Sequence, residues 1–374
     1  MNATRAIDLE DTDGLLAADR QGLLRAASSA GAQVRAVAAA ADEGALDSLR
    51  TGDRPRSIIW VPGRGTAETA GTLLAATLAG AASAPIALAG DAPPWVGPLD
   101  VLIVAGDDPG DPALVGAAAT GVRRGARVVV VAPYEGPLRD STAGRVAVLE
   151  PRMAVRDEFG LSRYLAAGLA ALHTVDPRPG VNSGQDLALL ADELDAEALR
   201  NSAGRELFTN PAKTMAARIW RRQVALAGDC AATLALARHG SSVLVRIARQ
   251  VVAAAGLGDV VAALRATPES GVGPSSVDAL FHDEQIDGPL PDRMRVLALT
   301  LADERTVVAA RVAGLDDVYL VAAEDVPDLP DASGGPAGPG GPPAPTGAGR
   351  AEQQLAVLAV RLEMAAVYLR LVRG

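Results

Sequence analysis

The residues able to do chemistry gather at a few turns. Val101 to Val115 reads VLIVAGDDPGDPALV: an apolar run, a Gly/Pro turn holding Asp107, Asp108 and Asp111, then the start of a helical stretch. A strand-to-helix turn of this kind collects backbone N–H groups at a helix N-terminus and suits an anion. Here it carries three carboxylates, and no hydroxyl side chain occurs from Val101 through Ala119. A carboxylate about 4 Å from a unit negative charge costs roughly 4 kcal/mol at an effective dielectric near 20. A hydrogen bond to a charged group returns only about 1.5–3 kcal/mol. Three readings follow: Asp111 is a helix N-cap with Asp107 and Asp108 solvated in the turn, the three hold Mg²⁺, or they face a cationic ligand. A second turn, VPGRGTAETAGTLL, offers Gly63, Arg64, Gly65 and Thr66 ahead of a helix, with Arg64 able to bind an anion by charge. Further along, Arg152 supplies a cation, and His282 with Glu284 supplies a candidate acid and base.

These turns need a scaffold, and the pattern around them supplies one. Short apolar runs at SIIWV (57–61), APIAL (84–88), VLIVAG (101–106), RVVVVA (127–132) and RVAVLE (145–150) alternate with Ala-rich helical stretches. Strands apolar on consecutive residues, separated by helices, mean a parallel sheet covered on both faces. The first fifty residues have helical spacing, with Leu15, Leu16, Leu23 and Leu24 in one segment and Val34, Val37, Ala38 and Leu46 in the next. The expected fold class is therefore α/β, two αβα domains with doubly wound, mainly parallel sheets. The first spans 1–175 with its helical leader, DPRPGVNSG (176–184) is a linker, and the second spans 185–374. In the second, helices at 185–199 and 211–220 precede a strand at QVALAG (223–228) and a long helix to about 254. Strands follow at RVLALTLA (295–302) and DVYLVAAE (317–324), with a helix at TVVAARVAG between them. Residues 328–349 are Pro/Gly-rich and expected to be disordered. The closing stretch, apolar around most of its circumference, is expected to pack as a buried helix in the second domain.

The totals narrow the function. A chain of 374 residues that is 49% hydrophobic fits two cores. Net charge is −10 with no basic stripe, which argues against nucleic acid. The single cysteine, Cys230, excludes an intramolecular disulfide and a cysteine-rich metal site, and no cofactor or metal is expected. The acidic start MNATRAIDLEDTDG does not read as a signal peptide, and no apolar run reaches membrane-spanning length. A cytoplasmic protein is expected, with no membrane partner. His173 and His239 show no partner pattern and read as structural.

The order of these pieces resembles the bifunctional phosphoglucose/phosphomannose isomerases, built from two sugar-isomerase (SIS) domains, and within them a divergent TobH-like actinobacterial branch. VPGRGTAETAGTLL resembles the family's glycine-rich turn, with Gly63, Gly65 and Gly71 in frame, Ala67 at the phosphate-binding serine and Thr66 beside it. EPRMAV resembles a patch whose arginine faces the active site, which falls on Arg152; pairing with Glu150, Asp157 or Glu158 is the alternative. NPAKTMA (210–216) resembles the opening of the family's second domain. FHDEQIDG resembles a segment whose histidine opens and closes the sugar ring, matched by His282, with Glu284 at its glutamate. The resemblance implies substrate contacts at Gly63, Gly65, Thr66 and Arg152, a homodimer, and a sugar phosphate or related metabolite as ligand, and Arg64 joins these contacts by its charge, binding an anion by a different route.

The departures are equally specific. The family's catalytic base lies on a second-domain helix, and the register RQVVAAAG (249–256) places Ala253 there. The family's phosphate loop is rich in hydroxyls, and VLIVAGDDPGDPALV stands in its place. A lysine that some members use beyond the closing helix has no counterpart before Gly374. The expected function is thus sugar-phosphate binding by a catalytically degenerate, regulatory protein. The alternatives are an active aldose–ketose isomerase with relocated residues, Glu284 or Glu269 as base, and a scaffold.

Overall fold

The computed structural model describes residues 7–51, 53–177, 183–266, 294–323 and 350–373. The leader folds into α1 (Thr12–Ala18), α2 (Leu23–Ala27) and α3 (Ala30–Asp42). Asp19 separates the first two by accepting from the N–H groups of Leu23 and Leu24 at 2.7 and 2.9 Å. Five strands then alternate with four helices: β1 (Ser57–Pro62), α4 (Thr66–Leu78), β2 (Ile86–Leu88), β3 (Asp100–Ala105), α5 (Pro112–Arg123), β4 (Arg127–Val131), α6 (Gly136–Thr142), β5 (Ala147–Val148) and α7 (Leu161–Val175). All pairs are parallel, in the order β2-β1-β3-β4-β5. The consecutive apolar residues of the central strands are explained by burial on both faces. Ile59, Val61, Leu102, Val104, Val128 and Val130 pack under α5 and α6. Ile58, Trp60, Val101, Ile103 and Val129 point the other way, toward α3, α4 and α7.

The second half repeats the scheme: α8 (Ser183–Arg200), α9 (Pro211–Ile219), β6 (Val224–Gly228), α10 (Ala231–Val243), β7 (Ala253–Gly256), α11 (Leu257–Ala266), β8 (Arg295–Leu299), α12 (Arg305–Val312), β9 (Val318–Val321) and α13 (Ala351–Arg373). Its sheet is also parallel, ordered β7-β6-β8-β9. One expectation fails here. The long helix does not run to 254: it widens into a π turn over Leu244–Ala248, Arg249 turns the chain at φ 53°, and Ala253 opens strand β7. Three consecutive alanines and a glycine carry no period, so their pairing with β6 was invisible in the sequence.

The two halves share a continuous apolar core. Helix α13 is buried nearly throughout and packs on α9, α10, α8 and α4, so it joins the halves rather than serving the second alone. Its one buried cation, Arg361, donates to Glu197 of α8 at 2.9 Å and to the carbonyl of Ala322 at 2.8 Å. Burial alone would push the Glu197 carboxyl up, but Arg361, Arg200 and Asn201 hold it below the usual range. The NPAK stretch is architectural. Asn210 caps α9 through Lys213 N, and the fully buried Lys213 ammonium donates to the carbonyls of Ala203 and Arg205 at 2.7 and 2.8 Å.

Candidate functional site

In the first sheet the strand order reverses between β1 and β3, and open α/β sheets gather ligands outside the C-terminal ends of the strands at such a point. The two turns singled out in the sequence meet there. Gly63 N donates to Ala105 O at 2.6 Å. A β-carbon on Gly63 would lie 3.3 Å from Asp111 Oδ2, so a carboxylate oxygen projects over the crevice.

The three aspartates answer to internal partners. Asp111 caps α5, accepting from Ala113 N at 2.9 Å. Asp108 closes the turn by accepting from Gly110 N at 2.8 Å. Asp107 is not simply solvated: it forms an ion pair with Arg163, whose guanidinium lies 4.5 Å from the Tyr164 ring centre and donates to its hydroxyl at 2.7 Å. Burial pushes that hydroxyl's pKa well up. The first turn of α5 therefore has little to offer an anion. Pro112 lacks an N–H, Ala113 N is capped and Val115 N donates to Asp111 O, which leaves only Leu114 N among the described partners. Nor do the aspartates form a metal centre. Among the described residues no three His, Cys, Asp or Glu side chains come together as ligands.

The start of α4 is different. Gly65 adopts φ 92°, a conformation that favours glycine, and no side chain caps the helix. The N–H groups of Thr66, Ala67 and Glu68 have no hydrogen-bond partner among the described residues. The Thr66 hydroxyl donates to Asp157 O at 3.3 Å. Arg64 is exposed and makes no ion pair with a described residue. From Gly65 a cleft of about 220 Å³ opens between α4 and α10, lined by Thr69, Arg238, His239, Ser242 and Arg246. Arg246 holds Asp157 at 2.5 Å; burial would raise the Asp157 carboxyl, but this arginine and Glu158 outweigh it and lower its pKa. His239 Nε2 lies 2.9 Å from Glu363 Oε1 of α13, both side chains buried, and burial pushes the Glu363 carboxyl up despite the imidazole.

Of the residues expected to bind substrate, Gly63, Arg64, Gly65 and Thr66 are thus contiguous at the crevice. Arg152 lies on the other side of the 157–160 turn, in a separate cavity with Asp107 and Arg163. Its partner is Glu43 of the leader, held by two hydrogen bonds at 2.8 and 2.5 Å, and none of the three carboxylates proposed for it. His282, Glu284 and Glu269 lie outside the described residues. Ala253, placed by register on a helix, is an exposed strand residue, so that assignment does not hold. Gly71 serves packing: a β-carbon there would lie 2.3 Å from Trp60 Cδ1. No local pattern pointed to the His239–Glu363 pair, whose members are 124 residues apart. A cavity of about 350 Å³ is lined by Ile58 and Ile86 near the starts of β1 and β2, the C-terminal ends of α4 and α7 and the first turns of α8 and α13, away from the strand ends where such sheets bind ligands.

No family model matches the sequence, and no curated protein matches it. Solved structures do. A protein assigned as a phosphosugar isomerase from Silicibacter pomeroyi DSS-3 superposes with a TM-score of 0.62 at 14% identity, covering 94% of this chain and 98% of that one. Tagatose-6-phosphate ketose/aldose isomerase from Escherichia coli gives 0.61 at 14% identity, covering 98% and 94%. The C-terminal domain of glucosamine-fructose-6-phosphate aminotransferase from Francisella tularensis gives 0.56 at 11% identity, covering 95% of each chain. No helix among the described residues is long and apolar enough to cross a membrane. Likeness at these identities carries the architecture and nothing finer: the chain has the αβα fold of the sugar-isomerase domains, built twice along its length.

Proposed function

We propose that this protein binds a sugar phosphate or related phosphorylated metabolite, with the anion at the N-terminus of α4 in the cleft facing α10. In this reading it does not interconvert glucose or mannose 6-phosphate by the route its resemblance implies, and its role is regulatory. The observation that carries the reading is the contrast between the two helix starts. Asp111 engages the Ala113 and Val115 donors of α5 and leaves only Leu114 N, while those of α4 are uncapped beside Arg64, which makes no ion pair among the described residues. Helix N-terminal amides and an arginine together suit a phosphate, and the neighbours named for phosphosugar chemistry share the fold. By the same resemblance we propose a homodimer.

The test is calorimetry and thermal shift with fructose, glucose and mannose 6-phosphates, run beside a turnover assay. Stabilisation without turnover, reduced at least tenfold in affinity by Arg64→Ala, is expected. Turnover at ordinary enzyme rates would overturn the regulatory reading, and no binding would overturn both parts. One observation favours a second reading as a working isomerase with relocated residues. His239, held by Glu363, lies on the same cleft and has the arrangement of an oriented acid or base.

A further inference from the structure

We infer that the cleft between α4 and α10 takes a sugar phosphate that carries a second anionic group, a carboxylate or a second phosphate, at the end opposite the first. The inference rests on the phosphate reading above and narrows it. The two walls set the geometry. The Thr66 hydroxyl and the Arg246 guanidinium meet at Asp157, so α4 begins where α10 gives way to the π turn, and the two helices run antiparallel along the cleft. The lining runs from Gly65 to Thr72 on one wall and from Arg246 back to Ala235 on the other. Thr72 is six residues beyond Thr66 and Arg238 eight before Arg246, roughly 10 Å along each helix at 1.5 Å per residue. The far end of the cleft is therefore a sugar's length from the open amides of α4, and Thr69 and Ser242 place hydroxyls between the two ends.

Two groups at that far end are open to a ligand. Arg238 is exposed and makes no ion pair with a described residue, whereas Arg246 is taken by Asp157. His239 is only 3% exposed, and Glu363 holds its Nε2 at 2.9 Å. Its Nδ1 has no hydrogen-bond partner among the described residues and is not sealed from solvent, so it keeps its surface on the cleft that His239 lines. Glu363 also decides what Nδ1 offers. A carboxyl that burial pushes up holds its proton more readily and donates it to Nε2, which leaves the ring hydrogen on Nδ1. When the proton passes to the ring instead, both nitrogens carry one and Nδ1 again donates. A guanidinium beside a buried N–H suits an oxyanion better than a neutral hydroxyl, because charge-assisted hydrogen bonds are roughly twice as strong as neutral ones. Glu68, the one carboxylate among the described lining residues, is exposed in the first turn of α4, toward the other end from Arg238.

The test is calorimetry on the full chain with two matched pairs of ligands. One is 6-phospho-D-gluconate against D-glucitol 6-phosphate, which differ only in a carboxylate at the end away from the phosphate. The other is fructose 1,6-bisphosphate against fructose 6-phosphate. In at least one pair the bis-anion binds at least tenfold more tightly, and which pair does so tells carboxylate from phosphate. Arg238→Gln, a change at an exposed side chain, brings that pair within threefold of each other, and His239→Asn narrows the gap as well. Arg64→Ala weakens both members alike and keeps their ratio. Binding of the monophosphates with no preference in either pair would overturn the inference and leave the phosphate reading standing. A preference that survives Arg238→Gln would overturn it too, and no binding by any of the four would overturn both.

Discussion

Asp111 is the residue on which the acidic turn can be tested most directly, because its two possible roles predict opposite experiments. As an N-cap it accepts from Ala113 N at 2.9 Å and precedes a proline at the first helical position. Removing such a cap costs about 0.5–2 kcal/mol, typically near 1, and serine caps almost as well as aspartate. Asp111→Ala should therefore lower the unfolding free energy by about 1 kcal/mol in urea titrations followed by circular dichroism, and Asp111→Ser should fall within a few tenths of wild type. If the carboxylate instead faced a bound phosphate at about 4 Å, it would oppose binding by roughly 4 kcal/mol per unit charge. Asp111→Ser would then tighten phosphosugar binding several hundredfold, at about tenfold per 1.4 kcal/mol. With the anion at α4, on the far side of Gly63, the gain should stay under about tenfold because solvent screens the longer separation. A several-hundredfold gain, or an Asp111→Ala variant as stable as wild type, would refute the assignment of α4 over α5.

Three further outcomes follow from buried groups. Arg361→Met takes the buried arginine from the fully buried Glu197 and leaves it only Arg200 and Asn201, and should cost up to about 3–5 kcal/mol in urea unfolding, part of it recovered by adding Glu197→Gln. Lys213→Met leaves the carbonyls of Ala203 and Arg205 without their donor, and should cost about 2–6 kcal/mol at roughly 1–3 per unsatisfied group. Glu363 has its folded pKa raised by burial, so above its ordinary value of 4.5 the native state binds a proton that the unfolded chain has lost, and its contribution to stability falls as pH rises through the folded value. Glu363→Gln should flatten the fall in melting temperature across that window, and an unchanged slope would show that the carboxyl does not titrate there.

What the sequence made legible depended on periodicity. The first sheet was readable strand by strand because a strand buried on both faces leaves an unbroken apolar run, as in Val101–Ala105 and Val128–Val131. β7 was not, since Ala253–Gly256 follows a helix of similar composition and its edge position puts little apolar side chain in the core. The turn at Gly63 to Thr66 was legible as a turn because glycines before a helix have a local signature. Arg152 went to Glu43 because salt-bridge choice depends on where the leader helices pack, and 109 residues separate the partners.

The acidic turn also bears on how one helix start in this fold can lose room for an anion without a change of architecture. A hydroxyl-rich loop at β3 would leave the α5 amides open to an anion, whereas Asp111 closes them with its own side chain, and the proline that follows removes another donor. Asp107 then needs a counter-charge, and Arg163 supplies it from the first turn of α7, stacked on Tyr164. That pairing takes up a cation beside the turn. On the proposed reading, the side chains of this one turn leave the uncapped start of α4 as the better place for an anion. Arg163→Leu removes the counter-charge of Asp107 but touches none of the α4 donors, so phosphosugar binding should persist in that variant when measured by calorimetry, and its loss would argue that the anion sits at the β3 turn instead.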